Sequence, residues 1–250
     1  MIFTIAGREL RALFLSPLAW TVLAVITFLM AWLFFAQLDI FLQLIQPRLG
    51  ADSAQGITDI IVAPHLSTAV IILMLVVPLL SMRLVAEEKR NATLPLLLSA
   101  PVSMTQIVLG KYLGLMGFLL LALALIAAMP LSLAFGTQLD MGKVAAGILG
   151  LGLLLGAFAA AGLFMSTLTR QPAVAAISTF GLLLLLWLID IAAGAQNVAS
   201  GVASYLSLLK HYQALLRGLF NSADVIYYLL VISAFLIFSI RKLDAERLQK

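Results

Sequence analysis

The sequence predicts an all-α, polytopic membrane protein with six transmembrane helices. Of its 250 residues, 63% are hydrophobic and only 10% are charged, whereas a soluble domain carries about 25% charged residues. The apolar residues form long stretches without a charge, each close to the roughly 17–25 residues that a helix needs to cross a bilayer. These stretches do not alternate between apolar and polar residues, as the strands of a transmembrane β-barrel would.

Six stretches meet this criterion along the chain. Their approximate limits are Leu18–Ala36, Leu66–Met82, Tyr112–Phe135, Val144–Thr169, Pro172–Ile189 and Val225–Ile240. We find no internal repeat and no low-complexity tail that would divide the chain. Residues 1–250 are therefore predicted to form a single membrane domain.

Lysine and arginine residues predict how the spans are oriented, because they concentrate in cytoplasmic loops. Six spans place both termini on one side of the membrane. That side carries Arg8, Arg11, Arg83, Lys89, Arg90, Lys111, Arg170, Arg241, Lys242, Arg247 and Lys250. The other side carries only Arg48, Lys143, Lys210 and Arg217. We therefore expect cytoplasmic termini, and we attribute the net charge of +4 to this topology rather than to nucleic-acid binding.

Residues 1–16 are predicted to form a cytoplasmic elbow before the first span. Apolar side chains alternate there with Arg8, Glu9 and Arg11, and helical spacing gathers most of the apolar ones on one side. This pattern is typical of an amphipathic helix in the membrane interface, which Ser16-Pro17 would turn into the first span. The alternative is that the first transmembrane helix simply begins early.

Two segments, 37–65 and 191–224, are predicted to lie on the external side. The centre of the first is polar and rich in turn-forming residues. In the second, apolar residues recur at helical spacing, at Val198, Val202, Tyr205, Leu209, Tyr212, Leu216 and Leu219. This recurrence predicts one or two amphipathic helices that lie at the outer surface or enter it as re-entrant helices.

The fourth span is rich in small residues, and Gly152 and Gly156 form a small-xxx-small pair. Such pairs allow helices to approach closely enough for dispersion forces to hold them together in lipid. The neighbouring helix can belong to the same subunit or to a second subunit, and we favour the same subunit.

The residue types argue against several classes of function. The chain has no cysteine, and the predicted spans contain no acidic residue, lysine, arginine or histidine, which argues against proton-coupled transport and intramembrane proteolysis. His65 and His211 fall outside the predicted spans and are expected to be interfacial residues rather than metal ligands. Gly110-Lys111 does not belong to a phosphate-binding loop, because Tyr112 follows it and Thr105 replaces the first glycine of that motif.

The densest charge cluster, Glu87-Glu88-Lys89-Arg90, lies in the predicted cytoplasmic loop 83–111. We expect the second helix to continue through these charges into water. Asn91 is suited to the left-handed conformation that ends a helix, and Thr93 is suited to capping a second, short helix.

This second short helix would be rich in leucine and would end at Pro101. Its apolar residues are Leu94, Leu96, Leu97 and Leu98. Ser103 or Thr105 would then begin the helix that leads into the third span. Four leucines beside a charge cluster suit either a turn that rests on lipid head groups or a docking site for a soluble partner.

This loop resembles that of the permease subunits of ABC-2 type transporters. In that family it has the form E-E-K-R-x-G-T-L-E-L-L-L-[ST]-x-P-[VI]-S, with G-K following before the third helix. Here residues 87–103 read EEKRNATLPLLLSAPVS, and Gly110-Lys111 follows. Ala92 replaces the glycine of the pattern, and Pro95 replaces its glutamate, so that the reciprocal Thr–Glu capping box cannot form. The last fifty or so residues are most similar to the gliding-motility branch of the family.

The resemblance implies two permease subunits, identical or related, that are docked to a dimer of ABC ATPase subunits. ATP and Mg²⁺ would bind to the ATPase, and this chain would hold no cofactor. The implied ATPase-coupling residues are Glu87, Glu88, Arg90, Thr93, Leu94, Leu96, Leu97 and Pro101, with Arg8 and Arg11 in the elbow. The implied location is the bacterial plasma (inner) membrane, in contact with membrane lipids and, in one branch of the family, with a periplasmic partner.

We therefore expect a permease subunit of an ATP-driven exporter, coupled to a separate ATPase and not itself an enzyme. The alternative is an ABC-type module that transmits force to an extracytoplasmic partner without moving a cargo, with segments 37–65 and 191–224 as its output surface. An intramembrane enzyme is a third hypothesis, and the missing catalytic groups disfavour it.

Overall fold

The computed structural model describes residues 1–45, 56–93, 102–195 and 207–248. Every regular element in these ranges is a helix. Six of the described helices are long and apolar enough to cross a membrane, which confirms the predicted all-α, polytopic fold.

The α-helices are numbered in chain order. They are α1 Ile2–Leu15, α2 Pro17–Ile40, α3 Ala63–Ser81, α4 Ala86–Arg90, α5 Met104–Ser132, α6 Met141–Leu168, α7 Pro172–Ala195, α8 Leu208–Leu216 and α9 Ser222–Leu248. The spans are formed by α2, α3, α5, α6, α7 and α9. Because their number is even, both termini lie at one end of the bundle. We call this end, which carries α1, α4 and the end of α9, the terminal face, and we call the other end the opposite face.

The helices are longer than the charge-free stretches that predicted them. The predicted second span begins at Leu66, whereas a π-helical turn, Thr58–Val62, already leads into α3. The predicted third span begins at Tyr112, whereas α5 begins at Met104. Hydropathy marks only the part of a helix that lies in hydrocarbon, and the backbone hydrogen bonds continue into the polar ends. The predicted external segments 37–65 and 191–224 therefore include helix ends, while residues 46–55 and 196–206 lie outside the described residues.

The elbow helix α1 is a separate element. It ends at Leu15, Ser16 has an extended backbone, and Pro17 is the first residue of α2, where proline is well tolerated because its missing N–H has no partner in the helix. The alternative of an early start to the first span is therefore wrong. Because α5 carries Gly110 and Gly114 along this contact, the side chains of Ile5 and Glu9 lie almost against its backbone.

Helix α6 lies at the centre of the bundle and contacts α3, α5, α7, α8 and α9. Its glycines face helices of the same chain. A Cβ atom at Gly150 would lie 3.0 Å from Leu215 of α8, and one at Gly156 would lie 3.0 Å from Ile232 of α9. At Gly152 the nearest atom, in Leu123 of α5, is 3.4 Å away. The small residues thus serve close packing within this chain.

Helix α8, on the opposite face, packs its apolar side against α6, α7 and α9. The Tyr212 hydroxyl donates a hydrogen bond to the carbonyl of Leu66 over 3.1 Å, and burial raises the pKa of this phenol. His211 is also buried, with its Nδ1 atom 2.6 Å from the Asp224 carboxylate and its ring stacked on Tyr227. His211 thus lies inside the protein rather than on its surface, because Asp224, at the start of α9, supplies a buried polar partner.

His65 is likewise inside the protein. It is fully buried in the first turn of α3, and its ring meets the edge of Phe34 in α2 at a centroid distance of 5.3 Å. His65 is therefore packed between helices rather than exposed at the surface. Within the described ranges, no three His, Asp or Glu residues come together in a way that could hold a metal ion.

Candidate functional site

The chain turns sharply between α3 and α4, and a serine of α6 holds this turn. The Ser166 hydroxyl donates to the carbonyl of Met82 over 3.1 Å. It also accepts the N–H groups of Val85 at 3.1 Å and Ala86 at 3.0 Å. One hydroxyl, with one donor and two acceptor positions, therefore fixes the start of α4 against the end of α6.

The end of α4 is closed by backbone hydrogen bonds of the Schellman type. The N–H of Thr93 donates to the carbonyl of Glu88 over 3.0 Å, and the N–H of Ala92 donates to that of Lys89 over 3.4 Å. The left-handed residue of this motif is Ala92, with φ of 54°. Asn91 has φ of −81°, so the prediction that Asn91 adopts the left-handed conformation is wrong by one position. Ala92 is also the position where the ABC-2 pattern has glycine.

On one side of α4, Glu88 joins a cluster of four charges. The Nζ atom of Lys111 lies 2.7 Å from the Glu88 carboxylate and 3.0 Å from that of Glu9 in α1. Arg8 lies 3.1 Å from Glu9 and 3.7 Å from Glu88. The Lys111 side chain is only 1% exposed, yet two carboxylates and two cations balance each other, as a buried charge requires.

On the other side of α4, Lys89 reaches the ends of α6 and α9. Its Nζ atom donates to the carbonyl of Thr167 over 2.6 Å and to the carboxylate of Glu246 over 2.7 Å. The carbonyl belongs to the last turn of α6, where the helix dipole favours a positive charge. Lys242 lies 3.8 Å from the same carboxylate.

Two consecutive residues of α4 therefore form ion pairs with different helices. Glu88 connects α4 to α1 and α5, and Lys89 connects it to α6 and α9. Together with the Ser166 hydrogen bonds, these ion pairs connect a helix of five residues to α1, α5, α6 and α9. A displacement of α4 must strain these charge-assisted bonds or move the helices that they hold.

An open cleft of about 710 Å³ lies between α1 and the α3–α4 region. Polar residues on its walls include Arg8, Ser16, Arg83, Glu87 and Asn91. The terminal face thus combines a charged cleft with the ion pairs that hold α4.

Of the predicted coupling residues, Glu87, Glu88 and Arg90 lie on α4. The Thr93 hydroxyl donates to the carbonyl of Glu88 over 3.3 Å, at the end of the preceding helix. The remaining coupling residues, Leu94, Leu96, Leu97 and Pro101, lie outside the described residues. The structure brings Arg8 into the charge cluster, whereas Arg11 is exposed on α1. Gly152 and Gly156 lie in the middle of α6, away from this cluster.

Sequence reasoning missed Lys111 and Ser166 as parts of this site. The sequence analysis placed Lys111 at the end of the cytoplasmic loop and in the G-K of the ABC-2 pattern but gave it no partner, although Gly110 and Gly114 have the four-residue spacing of a close helix contact. That spacing is a signal that another element packs beside Lys111. Ser166 carries no such signal, because a single serine in an apolar stretch has many roles.

Of the two alternatives for the start of α5, Ser103 is the N-cap, and it forms a capping box with Gln106.

Comparison with known proteins identifies the family of the chain. The family model described as "ABC-2 family transporter protein" matches residues 3–246. A search of curated proteins gives no match. The matched region includes the first five spans and α4 completely, and all but one end residue of α1 and of the last span. The chain therefore belongs to the ABC-2 family and is a membrane permease component of an ABC transporter.

Proposed function

We propose that this chain is the permease subunit of an ATP-driven exporter, and that a separate ATPase subunit docks on α4 and the segment that follows it. The ATPase binds ATP and Mg²⁺, and a second permease subunit completes the membrane part. The terminal face is cytoplasmic in this proposal, in agreement with the distribution of lysine and arginine. Export is the direction that the resemblance to ABC-2 type permeases implies.

The observation that carries the proposal is that two consecutive residues of α4 form ion pairs with different helices. Glu88 bonds to Lys111, which also holds Glu9. Lys89 bonds to Glu246 and to the end of α6. A partner that pushes on α4 would therefore act on four other helices at once, which is the requirement for coupling ATP-driven closure to the spans.

The side of α4 that is not used in these bonds supports docking. Arg90 is exposed at the end of α4, and Glu87 is only loosely paired, 4.0 Å from Arg83. Exposed charges of both signs can select and orient a partner surface through electrostatic complementarity. The leucine-rich residues 94–98 follow directly in the sequence and supply apolar contacts.

The proposed mechanism is a transfer of movement through α4. Binding of ATP closes the ATPase dimer and displaces the docked α4. Through Lys111, this displacement reaches α1 and α5, and through Lys89 it reaches α6 and α9. Relative movement of these helices opens a path for the cargo, and hydrolysis of ATP returns the assembly to its starting arrangement.

A charge-reversal experiment tests the docking site. The full chain is affinity-purified from its native membrane, and ABC ATPase subunits that co-purify are identified and quantified by mass spectrometry. We expect Arg90→Glu to lower the recovered ATPase about tenfold, equivalent to about 1.4 kcal/mol of binding free energy. Arg241→Glu is the matched control, because Arg241 is also an exposed arginine on the terminal face.

An ATPase that co-purifies with the wild type and with Arg241→Glu, but is lost with Arg90→Glu, would support the proposal. Equal recovery with both variants would show that α4 is not the docking site. If no ABC ATPase co-purifies with the wild-type chain, the proposed partner itself is wrong.

A further inference from the structure

We infer that the seam between α2 and α3 binds one phospholipid with an amine-bearing, zwitterionic head group, whose phosphate lies at Arg83 and whose acyl chain lies in an apolar groove below it. This inference does not depend on ATPase docking. It rests on two neighbouring cavities of opposite character and on the residues that join them.

The groove between the two helices is apolar and has a volume of about 270 Å³. Its walls include Thr21, Val25 and Leu29 on α2 and Ile72, Leu75 and Leu79 on α3. From Thr21 to Leu29 it extends about 12 Å along the helix, at ~1.5 Å per residue. This length is close to that of one leaflet, about half of the ~30 Å hydrocarbon core. The groove therefore fits an acyl chain of the leaflet on the terminal side.

Trp20 marks the depth of the groove in the membrane. This residue precedes Thr21, is 57% exposed, and donates its indole N–H to the carbonyl of Phe14 over 2.7 Å. Exposed tryptophans with a bonded N–H are typical of the boundary between lipid and water. The end of the groove at Thr21 and Leu79 therefore lies at the level of the head groups, and the other end lies towards the bilayer centre.

Arg83 lies at the head-group end of the groove, four residues after Leu79. It donates to the Ser16 hydroxyl over 3.4 Å, and its Nε atom lies 4.0 Å from the Glu87 carboxylate. Both distances exceed those of strong charge-assisted hydrogen bonds. Because a guanidinium group has five N–H donors, Arg83 retains donors for a phosphate. Ser16 does not cap α2 with its side chain, so the first N–H groups of α2 add positive potential at the same place.

The polar cleft described above is lined by residues next to those of the groove along α3. Ser16, Leu80 and Arg83 line the cleft, whereas Leu79 lines the groove. In the cleft, Arg8 is already bound to Glu9 and lies near Glu88. Arg83 and Glu87 remain as one positive and one negative group near the seam. A head group with a phosphate and a primary amine matches this pair, with the amine donating to Glu87.

Native mass spectrometry of the full chain in detergent measures this binding directly. The probes are dioleoyl phosphatidylethanolamine, the matching phosphatidylcholine and phosphatidylglycerol, glycerophosphoethanolamine as a head without chains, and dioleoylglycerol as chains without a phosphate. We expect one phosphatidylethanolamine per chain to bind more tightly than any other probe. Binding of phosphatidylcholine, phosphatidylglycerol, glycerophosphoethanolamine or dioleoylglycerol that is as tight as that of phosphatidylethanolamine, or tighter, would overturn the inference.

Two variants with matched controls locate the site. Arg83→Gln should weaken binding about tenfold, as expected for the loss of a charge-assisted hydrogen bond, while Arg241→Gln should leave it unchanged. Val76 also lines the groove, and Val76→Trp should fill it and abolish binding. Val174→Trp, at an exposed position of α7, should leave binding unchanged. Wild-type binding by either Arg83→Gln or Val76→Trp would overturn the inference, provided that the variant elutes as a folded protein.

Discussion

At the scale of single residues, Lys111 is a buried charge in the cluster beside α4. Its ammonium group is buried and lies within 3.0 Å of the carboxylates of Glu9 and Glu88. A buried charge that loses its partner is destabilising by about 3–5 kcal/mol. Both carboxylates retain some exposure to solvent, and Arg8 is close. The loss of Lys111 should therefore cost an amount at or below the lower end of this range.

Replacing Lys111 with methionine should therefore destabilise the fold by about 2 kcal/mol, because two carboxylates would be left together without their shared cation. We expect the melting temperature of the full chain in detergent to fall by roughly 4–8 °C. The double variant Lys111→Met/Glu88→Gln should recover part of this loss, because it removes the repulsion between the carboxylates. An unchanged melting temperature in Lys111→Met would contradict the role of Lys111 as the shared partner.

Ala92 is the second residue with a specific cost. With φ of 54°, it occupies a left-handed conformation that is unfavourable by roughly 1–2 kcal/mol for a residue with a Cβ atom. Glycine adopts this conformation freely but increases the entropy of the unfolded chain, which offsets about 0.4–1 kcal/mol. Glycine at this position should therefore give a more stable protein than alanine.

Replacing Ala92 with glycine should stabilise the chain by about 1 kcal/mol, measured as a higher melting temperature in detergent. The matched control is Ala12→Gly, at an exposed position inside α1. This control should destabilise by about 0.5–1 kcal/mol, since glycine weakens a helix interior. If both substitutions lowered the melting temperature equally, the strain at Ala92 would be refuted.

At the scale of elements, α6 is held by contacts that only small residues allow. The tightest is Gly162 against α3, where an added Cβ atom would lie 2.6 Å from the Cβ atom of Ser81 and even closer to its hydroxyl. Ser81 is fully buried and ends α3, so it has little room to move. This contact and the Ser166 hydrogen bonds together fix the turn that leads into α4.

The substitution Gly162→Ala should therefore cost about 1–3 kcal/mol through overpacking. Gly152→Ala, in the same helix, should cost little, because the nearest atom to its added Cβ is 3.4 Å away, an ordinary contact distance. The measurement is the melting temperature of each variant in detergent. A larger loss for Gly152→Ala than for Gly162→Ala would contradict the packing described for α6.

Most of the elements could be predicted from the sequence, because lipid leaves few backbone structures and long apolar stretches indicate helices. The break at Ser16-Pro17 was equally predictable from turn chemistry. Helix ends were not, since α3 and α5 extend into polar residues that hydropathy excludes. The burial of His65 and His211 could not be predicted either, because a single polar residue does not reveal which residues, such as Asp224, the fold will bring to it.

At the scale of the whole molecule, the short helix α4 connects α1 and α5 with α6 and α9 at the terminal face. Glu88 and Lys89 extend from α4 towards different groups of helices, and the sequence shows them only as neighbours in a charge cluster. The position of the charge cluster at the end of an apolar stretch was visible in the sequence. Its division into two ion pairs was not, because Glu9, Lys111 and Glu246 are distant from it along the chain.

In the proposed transporter, an ATPase docks on α4 and the leucine-rich segment after it. The most direct measurement is the recovery of ATPase subunits, with their ATP hydrolysis rate, on purification of the full chain carrying Leu96→Asp and Leu97→Asp. The matched control carries Leu219→Asp and Phe220→Asp, two neighbouring exposed apolar residues on the opposite face. We expect at least about tenfold less ATPase with the first variant and wild-type recovery with the control. Undiminished recovery with the first variant would contradict the claim.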